Sequence, residues 1–241
     1  MHPPVVPAEG HPIRGVLFDM NSTLLHGGDP VRWFTAATRL LARDPTLGGA
    51  HPDPGPAGWP IPDLDALVPW TVQMWGLARE VDPTSERDLS PQRHREVYRE
   101  MVARVGIIPT ALGDALYDTM VDQWEAYEEA PAVLAQLRAR GIRIAILSNV
   151  GFDPRAVLER TGLAQLADAL VFSYEVGVVK PHPDIFRIAA QRLGLPPEDL
   201  LMVGDSLEDD AGGAALGIRT LLLPRTAAPH HGLAQVLRLV G

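Results

Sequence analysis

The sequence predicts an α/β fold in which a doubly wound parallel sheet carries an inserted all-helical domain. After residue 130, short apolar runs alternate with helical patterns, and this alternation is typical of a parallel sheet with right-handed crossovers. Between residues 27 and 130 the apolar residues follow helical spacing and no strand pattern occurs. We therefore expect a core of residues 13–26 and 131–241, a helical insert of residues 27–130 and a flexible tail of residues 1–12.

The predicted strands are short apolar runs, as a parallel sheet buried on both faces requires. They lie near residues 14–19, 142–147, 169–172, 200–204 and 219–223. The helices that alternate with them lie near residues 131–140, 153–160, 183–193 and 208–216. Most of these helices are followed by a glycine, which suits the first position beyond a helix C-terminus.

Helical spacing also fills most of the insert. It predicts a first helix around Val31 to Leu41, then a long loop rich in proline and glycine at residues 45–62. Three more helices are expected near residues 63–81, 90–105 and 110–129. All five tryptophans lie in the insert, and we expect most of them in its core and one or two in a ligand pocket.

The composition excludes several classes of function. A net charge of −9 argues against a nucleic-acid partner. No segment approaches the ~20 apolar residues that a membrane helix needs. The chain has no cysteine, so disulfides and Cys-ligated zinc are excluded. Since no secretory signal is visible, a cytoplasmic location is expected.

Polar side chains follow the predicted strands at the points where the strands end. The first strand leads into Asp19, Asn21, Ser22 and Thr23, and the second ends in Ser148 and Asn149. The strand at 200–204 leads into Asp205 and then into Asp209 and Asp210. Ligands of open α/β sheets bind just beyond the carboxyl ends of the strands, so these groups predict a site at that edge.

Lys180 is the only lysine in the chain, and every other residue counted as Lys or Arg is arginine. A lysine retained where arginine serves elsewhere predicts a specific role. Its ammonium is a compact charge on a flexible stem, which can approach a phosphate or a carboxylate where a planar guanidinium fits poorly. We therefore assign Lys180 to the same site.

Four motifs, which contain Asp19, Ser148, Lys180 and Asp205, follow one another along the chain. In order and spacing they resemble the motifs of the haloacid dehalogenase superfamily, whose members are aspartate-nucleophile hydrolases. The resemblance covers residues 13–26 and about 131–224. It implies a Rossmann-like core, and it implies that residues 27–130 form a helical cap that closes over the site and selects the substrate.

The resemblance also implies roles for the site residues. Asp19 matches the nucleophile, which forms an aspartyl-phosphate in the phosphatases of the superfamily. Mg²⁺ is the implied cofactor, held by the side chains of Asp19 and Asp205 and by the backbone carbonyl of Asn21. Lys180 supplies positive charge, and Ser148 and Asn149 are expected to donate hydrogen bonds to the transferred group.

The remaining positions that match the resemblance are supporting ones. Thr23 is retained in the motif after the first strand. One of Asp209 and Asp210 is expected to orient Lys180 or a metal-bound water. The other is expected to favour the positive end of the next helix.

Asn21 departs from the pattern of the superfamily's phosphatases, which carry an aspartate at this position. That aspartate protonates the leaving oxygen and then activates water. An amide cannot carry out either step at neutral pH, and losing general acid–base catalysis typically lowers the rate ~100- to 10,000-fold.

Three functions therefore remain open from the sequence. The first is a magnesium-dependent hydrolase of the phosphatase type, acting on a small phosphorylated metabolite. The second is a carbon–halogen hydrolase similar to the 2-haloacid dehalogenases, because a halide leaves without a proton. The third is a weak or inactive protein of this fold that binds a phosphorylated ligand. The metal-binding pattern at Asp205 and the retained Lys180 favour the first, and the oligomeric state is left open.

Overall fold

The computed structural model describes residues 12–43, 71, 74, 76–226 and 230–240. Its strands are β1 Gly15–Phe18, β2 Leu25–His26, β3 Glu125–Ala126, β4 Arg143–Ser148, β5 Ala169–Phe172, β6 Leu200–Gly204 and β7 Arg219–Leu222. Five of them form one parallel sheet in the order β5-β4-β1-β6-β7. The predicted α/β fold with a parallel sheet is therefore confirmed, and β1 lies at its centre.

The named α-helices are α1 Pro30–Arg43, α2 Pro91–Val105, α3 Thr110–Thr119, α4 Ala130–Ala139, α5 Arg155–Arg160, α6 Ser173–Val176, α7 Pro183–Leu193, α8 Leu207–Asp210 and α9 Val236–Leu239. Residues 76–81 are also helical. The predicted helix at 208–216 divides into α8 and a 3₁₀ segment at Ala211–Leu216. At α2, the Ser90 side chain accepts a hydrogen bond from the Arg93 N–H, and Pro91 is the first helical residue.

Each face of the parallel sheet packs against apolar side chains, which explains why its strands are continuous apolar runs. Val16 and Phe18 of β1 point into one cluster, and Leu17 points into the other. α4 and α5 cover the first face and α7 covers the second. Burial on both faces is the physical basis of the doubly wound arrangement.

The helical insert shares the apolar cluster of the first face. Trp33 and Phe34 of α1, Tyr98 of α2 and Leu116 of α3 belong to the same cluster as Phe18. The predicted loop at 45–62, most of the helix predicted at 63–81 and nearly all of the tail predicted at 1–12 lie outside the described residues.

A two-stranded antiparallel sheet joins the insert to the core. β2 pairs with β3, with Leu25 opposite Ala126 and His26 opposite Glu125. The expectation of no strand between residues 27 and 130 is therefore wrong at β3, and the helix predicted at 110–129 ends at Thr119. Two residues are too short a run for a period-two pattern to be visible in the sequence.

The carboxylate of Glu129, the residue that directly precedes α4, ties the start of this helix to residues 231–234. Glu129 accepts backbone hydrogen bonds at 2.9–3.2 Å from His231, Gly232, Leu233 and Ala234. His231 in turn places its Nε2 2.9 Å from the carbonyl oxygen of Thr23. Glu129 therefore supports the loop that follows β1.

Replacing Glu129 by Gln should lower the free energy of unfolding by about 1.5–3 kcal/mol, because charge-assisted hydrogen bonds become neutral ones. These four N–H groups lower the pKa of Glu129 in the folded state against the opposing effect of burial. A depressed carboxyl pKa stabilises the fold above the ordinary value of 4.5, and this contribution is lost as the pH falls. Urea unfolding over a range of pH checks this: the difference between the two proteins should be full at pH 7 and should shrink as the pH falls below 4.5.

No helix among the described residues is long and apolar enough to cross a bilayer.

Candidate active site

The central strands deliver polar groups to one edge of the sheet. Asp19 directly follows β1, Ser148 is the last residue of β4, and Asp205 directly follows β6. β4 and β6 are the two neighbours of β1, and all three run parallel, so their carboxyl ends meet. A cavity of about 100 Å³ opens there. Its lining includes most of the predicted site residues, namely Asp19, Asn21, Ser148, Asn149, Lys180, Asp205, Asp209 and Asp210.

Thr23 does not line the cavity. It is fully buried beside it, and among the described residues no group bonds to its Oγ1. Its supporting role stays a prediction.

Lys180 lies at the centre of the carboxylate cluster. Its Nζ donates hydrogen bonds to Asp19 Oδ1 at 2.6 Å and to Asp210 Oδ1 at 2.7 Å, and its side chain is 3% exposed. Burial alone would lower the pKa of Lys180, but the two carboxylates together raise it above the ordinary range. The ammonium is therefore a fixed positive charge next to the predicted nucleophile.

Asn149 contacts the backbone of Lys180. Its Oδ1 accepts a hydrogen bond from the Lys180 N–H at 2.7 Å, and its Nδ2 donates to the Lys180 carbonyl at 3.0 Å. The side chain thus holds the Lys180 backbone in place. Its role as a donor towards a transferred group stays a prediction. Ser148 is almost fully buried, and its Oγ makes a long contact of 3.4 Å with the Asn149 carbonyl oxygen.

Asp209 and Asp210 of α8 have separate contacts. Asp210 orients Lys180, and its Oδ2 accepts a hydrogen bond from the Ser206 N–H at 2.9 Å. Asp209 forms an ion pair with Arg79, which comes from the insert. Gly204 permits this arrangement, because a Cβ there would lie 2.0 Å from Asp210 Oδ2.

The carboxylates at the strand ends repel one another. Burial raises the pKa of Asp19 to about 7, against the lowering effect of Lys180, and the charges of Asp210 and Asp205 add to the increase. Burial also raises the pKa of Asp205, with a further contribution from Asp210. Arg225 opposes this shift, because its Nε donates a hydrogen bond to Asp205 Oδ2. The site therefore carries an excess of negative charge.

This donor set fits a magnesium ion. Carboxylate and carbonyl oxygens are the ligands that Mg²⁺ takes, usually from one or two carboxylates with several waters retained. Asp19 and Asp205 provide the carboxylates, and a divalent cation would neutralise their repulsion. Within the described ranges no cluster of three or more His, Cys, Asp or Glu side chains is arranged for a metal.

The insert contributes several groups that the sequence did not indicate, together with one tryptophan of the kind expected at the pocket. Arg79, Arg87, Asp88, His94 and Trp124 line the cavity opposite the strand ends. Arg79 contacts Ser206 Oγ at 3.3 Å and forms ion pairs with both acids that precede Asp210. No strand-end position or motif marks the arginines, Asp88 or His94, so only the fold of the insert identifies them.

Two of these insert residues have shifted pKa values. Burial lowers the pKa of His94 to about 4, with help from the charge of Arg87, and its Nδ1 lies 2.9 Å from the Tyr117 hydroxyl. The imidazole is therefore neutral at neutral pH. Burial raises the pKa of Asp88 to about 6, with Arg87 opposing the shift.

The fold and the site together define a Rossmann-like α/β hydrolase with a buried aspartate–lysine pair at the carboxyl end of its central strand. The chain belongs to the family of haloacid dehalogenase-like hydrolases, whose sequence model matches residues 13–217.

Its relatives include phosphatases. The chain is 33% identical over 178 residues to a phosphoserine phosphatase from Thermus thermophilus, covering 72% of this chain and 64% of that protein, which is less than two thirds of its length. It is 29% identical over 227 residues to a phosphoglycolate phosphatase from Cereibacter sphaeroides, covering 91% of this chain and 92% of that protein.

The fold is also that of solved dehalogenases. The L-2-haloacid dehalogenase from Xanthobacter autotrophicus superimposes with a TM-score of 0.62 and 22% identity, covering 95% of this chain and 82% of that chain. At this identity the likeness shows the fold alone.

Proposed function

We propose that the protein is a magnesium-dependent phosphatase that acts on a small phosphorylated metabolite, with Asp19 as the nucleophile. The observation that carries the proposal is the presence of Asp205 in the same cavity as Asp19. The two carboxylates repel each other, and the charge of Asp205 contributes to the raised pKa of Asp19. A cavity with this charge favours a divalent cation, and phosphoryl groups bind to such cations. Curated relatives that are phosphatases support the same class of substrate.

In the proposed reaction, an Asp19 carboxylate oxygen attacks phosphorus and the bond from phosphorus to the substrate oxygen breaks. Water then attacks phosphorus, and the bond between phosphorus and Asp19 breaks, which restores the carboxylate and releases phosphate. Lys180, 2.6 Å from Asp19, neutralises charge as the phosphoryl group approaches. Bound Mg²⁺ would neutralise further charge on the phosphoryl oxygens.

Asp210 and Asn149 act through Lys180 in this scheme. Asp210 fixes its ammonium and Asn149 fixes its backbone, so the cation is positioned before substrate binds. Such preorganisation lowers the barrier, because the site does not need to rearrange as charge develops.

A second candidate is a carbon–halogen hydrolase, and Asn21 is the observation that favours it. Asn21 lines the cavity where an acid would protonate a leaving oxygen, and a departing halide needs no such proton. Asp205 and its neighbouring acids argue against it, because displacement of halide by Asp19 does not call for a divalent cation.

We expect the wild-type protein and an Asn21→Asp variant to hydrolyse p-nitrophenyl phosphate when magnesium is added. Hydrolysis should stop when the metal is chelated. The variant is included because it carries an acid at the position where the family's phosphatases have one. Asn21→Ser is the matched control, since it changes the same position without adding an acid, and it should not exceed the wild-type rate. The absence of phosphate release from both forms, combined with chloride release from 2-chloropropionate, would establish the second candidate instead.

A further inference from the structure

The proposed reaction needs a proton for the leaving oxygen, and Asn21 cannot provide it. Among the described residues that line the cavity, the carboxyl groups are those of Asp19, Asp88, Asp205, Asp209 and Asp210. Asp19 is the nucleophile, and each of the last three accepts a hydrogen bond from the side chain of a cationic residue. Asp88 is therefore the carboxyl group without a role.

His94 lines the same cavity but is poorly suited to the task. Burial holds its pKa near 4, and its Nδ1 is already engaged with the Tyr117 hydroxyl at 2.9 Å. A neutral imidazole with so low a pKa is almost never protonated at neutral pH, so it is a weak source of a proton.

The insert places Asp88 directly on the loop that follows β4. Ser173 Oγ donates a hydrogen bond to the Asp88 carbonyl at 2.6 Å and accepts one from the Val150 N–H at 2.9 Å. A Cβ at Gly151 would lie only 2.2 Å from the Arg87 carbonyl oxygen, so a glycine is needed for this contact. The short segment of Arg87 and Asp88 is thus fixed against the loop of Ser148 and Asn149.

The surroundings of the Asp88 carboxyl suit a group that exchanges protons. The side chain is 8% exposed and its nearest cation is Arg87, with 3.4 Å between Arg87 Nη2 and Asp88 Oδ2. The other charges that act on it are Asp82 from the insert, Asp209 from α8 and Lys180 from the loop before α7. Burial outweighs these effects and raises the pKa of Asp88 to about 6, which is close to the value that acid–base catalysis at neutral pH requires.

We propose that Asp88 is the general acid and base of this enzyme and replaces the aspartate that is absent at position 21. The inference rests on the proposed phosphatase function. As the bond from phosphorus to the substrate oxygen breaks, the Asp88 carboxyl gives its proton to that oxygen, so the product leaves as an alcohol. The Asp88 carboxylate then takes a proton from the attacking water, which restores the acid as phosphate is released.

The test compares substrates whose leaving groups differ in their need for a proton. Asp88→Asn should lower kcat for phenyl phosphate by about 100-fold, and it should lower kcat for p-nitrophenyl phosphate, whose leaving group is a weak base, far less. Adding Asn21→Asp to Asp88→Asn should restore most of the loss. The same Asn21→Asp change in the wild type should raise kcat by much less than ~100-fold, because an acid is already present.

Asp82→Asn is the matched control. Asp82 is also buried and also pairs with Arg87, but it does not line the cavity, and as an amide it still offers an oxygen to the Arg87 N–H. Because the charge of Asp82 also acts on Asp88, this variant should change the ratio of the two substrates slightly, and far less than Asp88→Asn does. Equal losses on both substrates in Asp88→Asn and in the control would show that Asp88 only supports the fold, and would overturn the inference.

Thermal unfolding gives a readout that is independent of activity. Because the pKa of Asp88 is raised in the folded state, its ionisation between the ordinary value of 3.8 and about 6 disfavours the fold. Asp88→Asn should therefore melt at a higher temperature than the wild type at pH 7.5, and the gain should vanish near pH 4. A carboxylate kept only as an ion-pair partner of Arg87 would give the opposite sign.

The outcomes also separate this inference from the proposed function. If Asn21→Asp raises kcat by ~100-fold and Asp88→Asn changes neither substrate, the phosphatase stands and the role of Asp88 is excluded. If neither the wild type nor Asn21→Asp releases phosphate, both fail together.

Discussion

Replacing Lys180 by Met should lower the free energy of unfolding by about 3–5 kcal/mol, because it removes the charge that two buried carboxylates share. Asp19 and Asp210 bond to Lys180 at 2.6 and 2.7 Å, and both carboxylates are buried. Met has nearly the same length and apolar stem, so the change isolates the charge. Asp210 has no exposed surface through which water could solvate it.

Urea unfolding with and without the substitution measures this effect, and turnover of p-nitrophenyl phosphate should be lost under conditions where the variant is still folded. Arg187→Met is the control, because Arg187 forms an ion pair with Asp184 on the surface of α7 with both side chains more than half exposed. Such a pair contributes about 0–1 kcal/mol. Equal losses in the two variants would mean that Lys180 is not the neutralising charge of the site.

The part of the fold that the sequence predicted best is the parallel sheet. Its strands are buried on both faces, so each must be a short continuous apolar run, and such runs are visible in one sequence. Residues 200–204 and 169–172 match β6 and β5 residue for residue. The positions of Asp19, Ser148 and Asp205 followed, because each lies at the end of a strand or directly after it.

The joining sheet and the helix ends in the insert were not predictable in the same way. β2 and β3 have two residues each, and their pairing depends on the approach of the insert to the core. Gly28 lies in this region, and the structure shows why a glycine is needed there. It has a positive φ of 68°, and a Cβ at this position would lie 2.1 Å from the Gln123 carbonyl oxygen.

The residues of the site also differ in whether the sequence could predict them. Lys180 could be predicted from composition and sequence context, but the choice between Asp209 and Asp210 required the orientation of α8. Asp88 and Arg79 could not be found from the sequence, because a single charged residue of the insert that lines the site has no local pattern.

Trp124 is the described tryptophan that lines the cavity, whereas Trp33 is buried in the insert and its Nε1 donates a hydrogen bond to the Leu116 carbonyl. The expectation of one or two tryptophans at the pocket is met by Trp124 among the described residues.

Replacing Asp19 by Asn should lower kcat by ~10⁴-fold or more on any substrate, because an amide oxygen is a poor nucleophile and the covalent route is closed. The change is isosteric, and the amide can still accept a hydrogen bond from Lys180. The variant should therefore stay folded, which circular dichroism can check. Asp184→Asn, at an exposed position on α7, is the control and should keep full activity. Retained turnover in Asp19→Asn would exclude Asp19 as the nucleophile.

Loss of activity in Asp19→Asn is expected for a phosphatase and for a dehalogenase alike, so isotopically labelled water is needed to separate them. In a single turnover of excess wild-type enzyme, water that attacks phosphorus leaves its oxygen in the released phosphate. The groups around Lys180 that favour transfer of a phosphoryl group to Asp19 also favour its transfer from Asp19 to water, because both steps pass through similar charge distributions. An alkyl ester on Asp19 would instead be hydrolysed at the carboxyl carbon, and the label would enter the Asp19 side chain. We therefore expect label in phosphate and none in the peptide that contains Asp19, as measured by mass spectrometry.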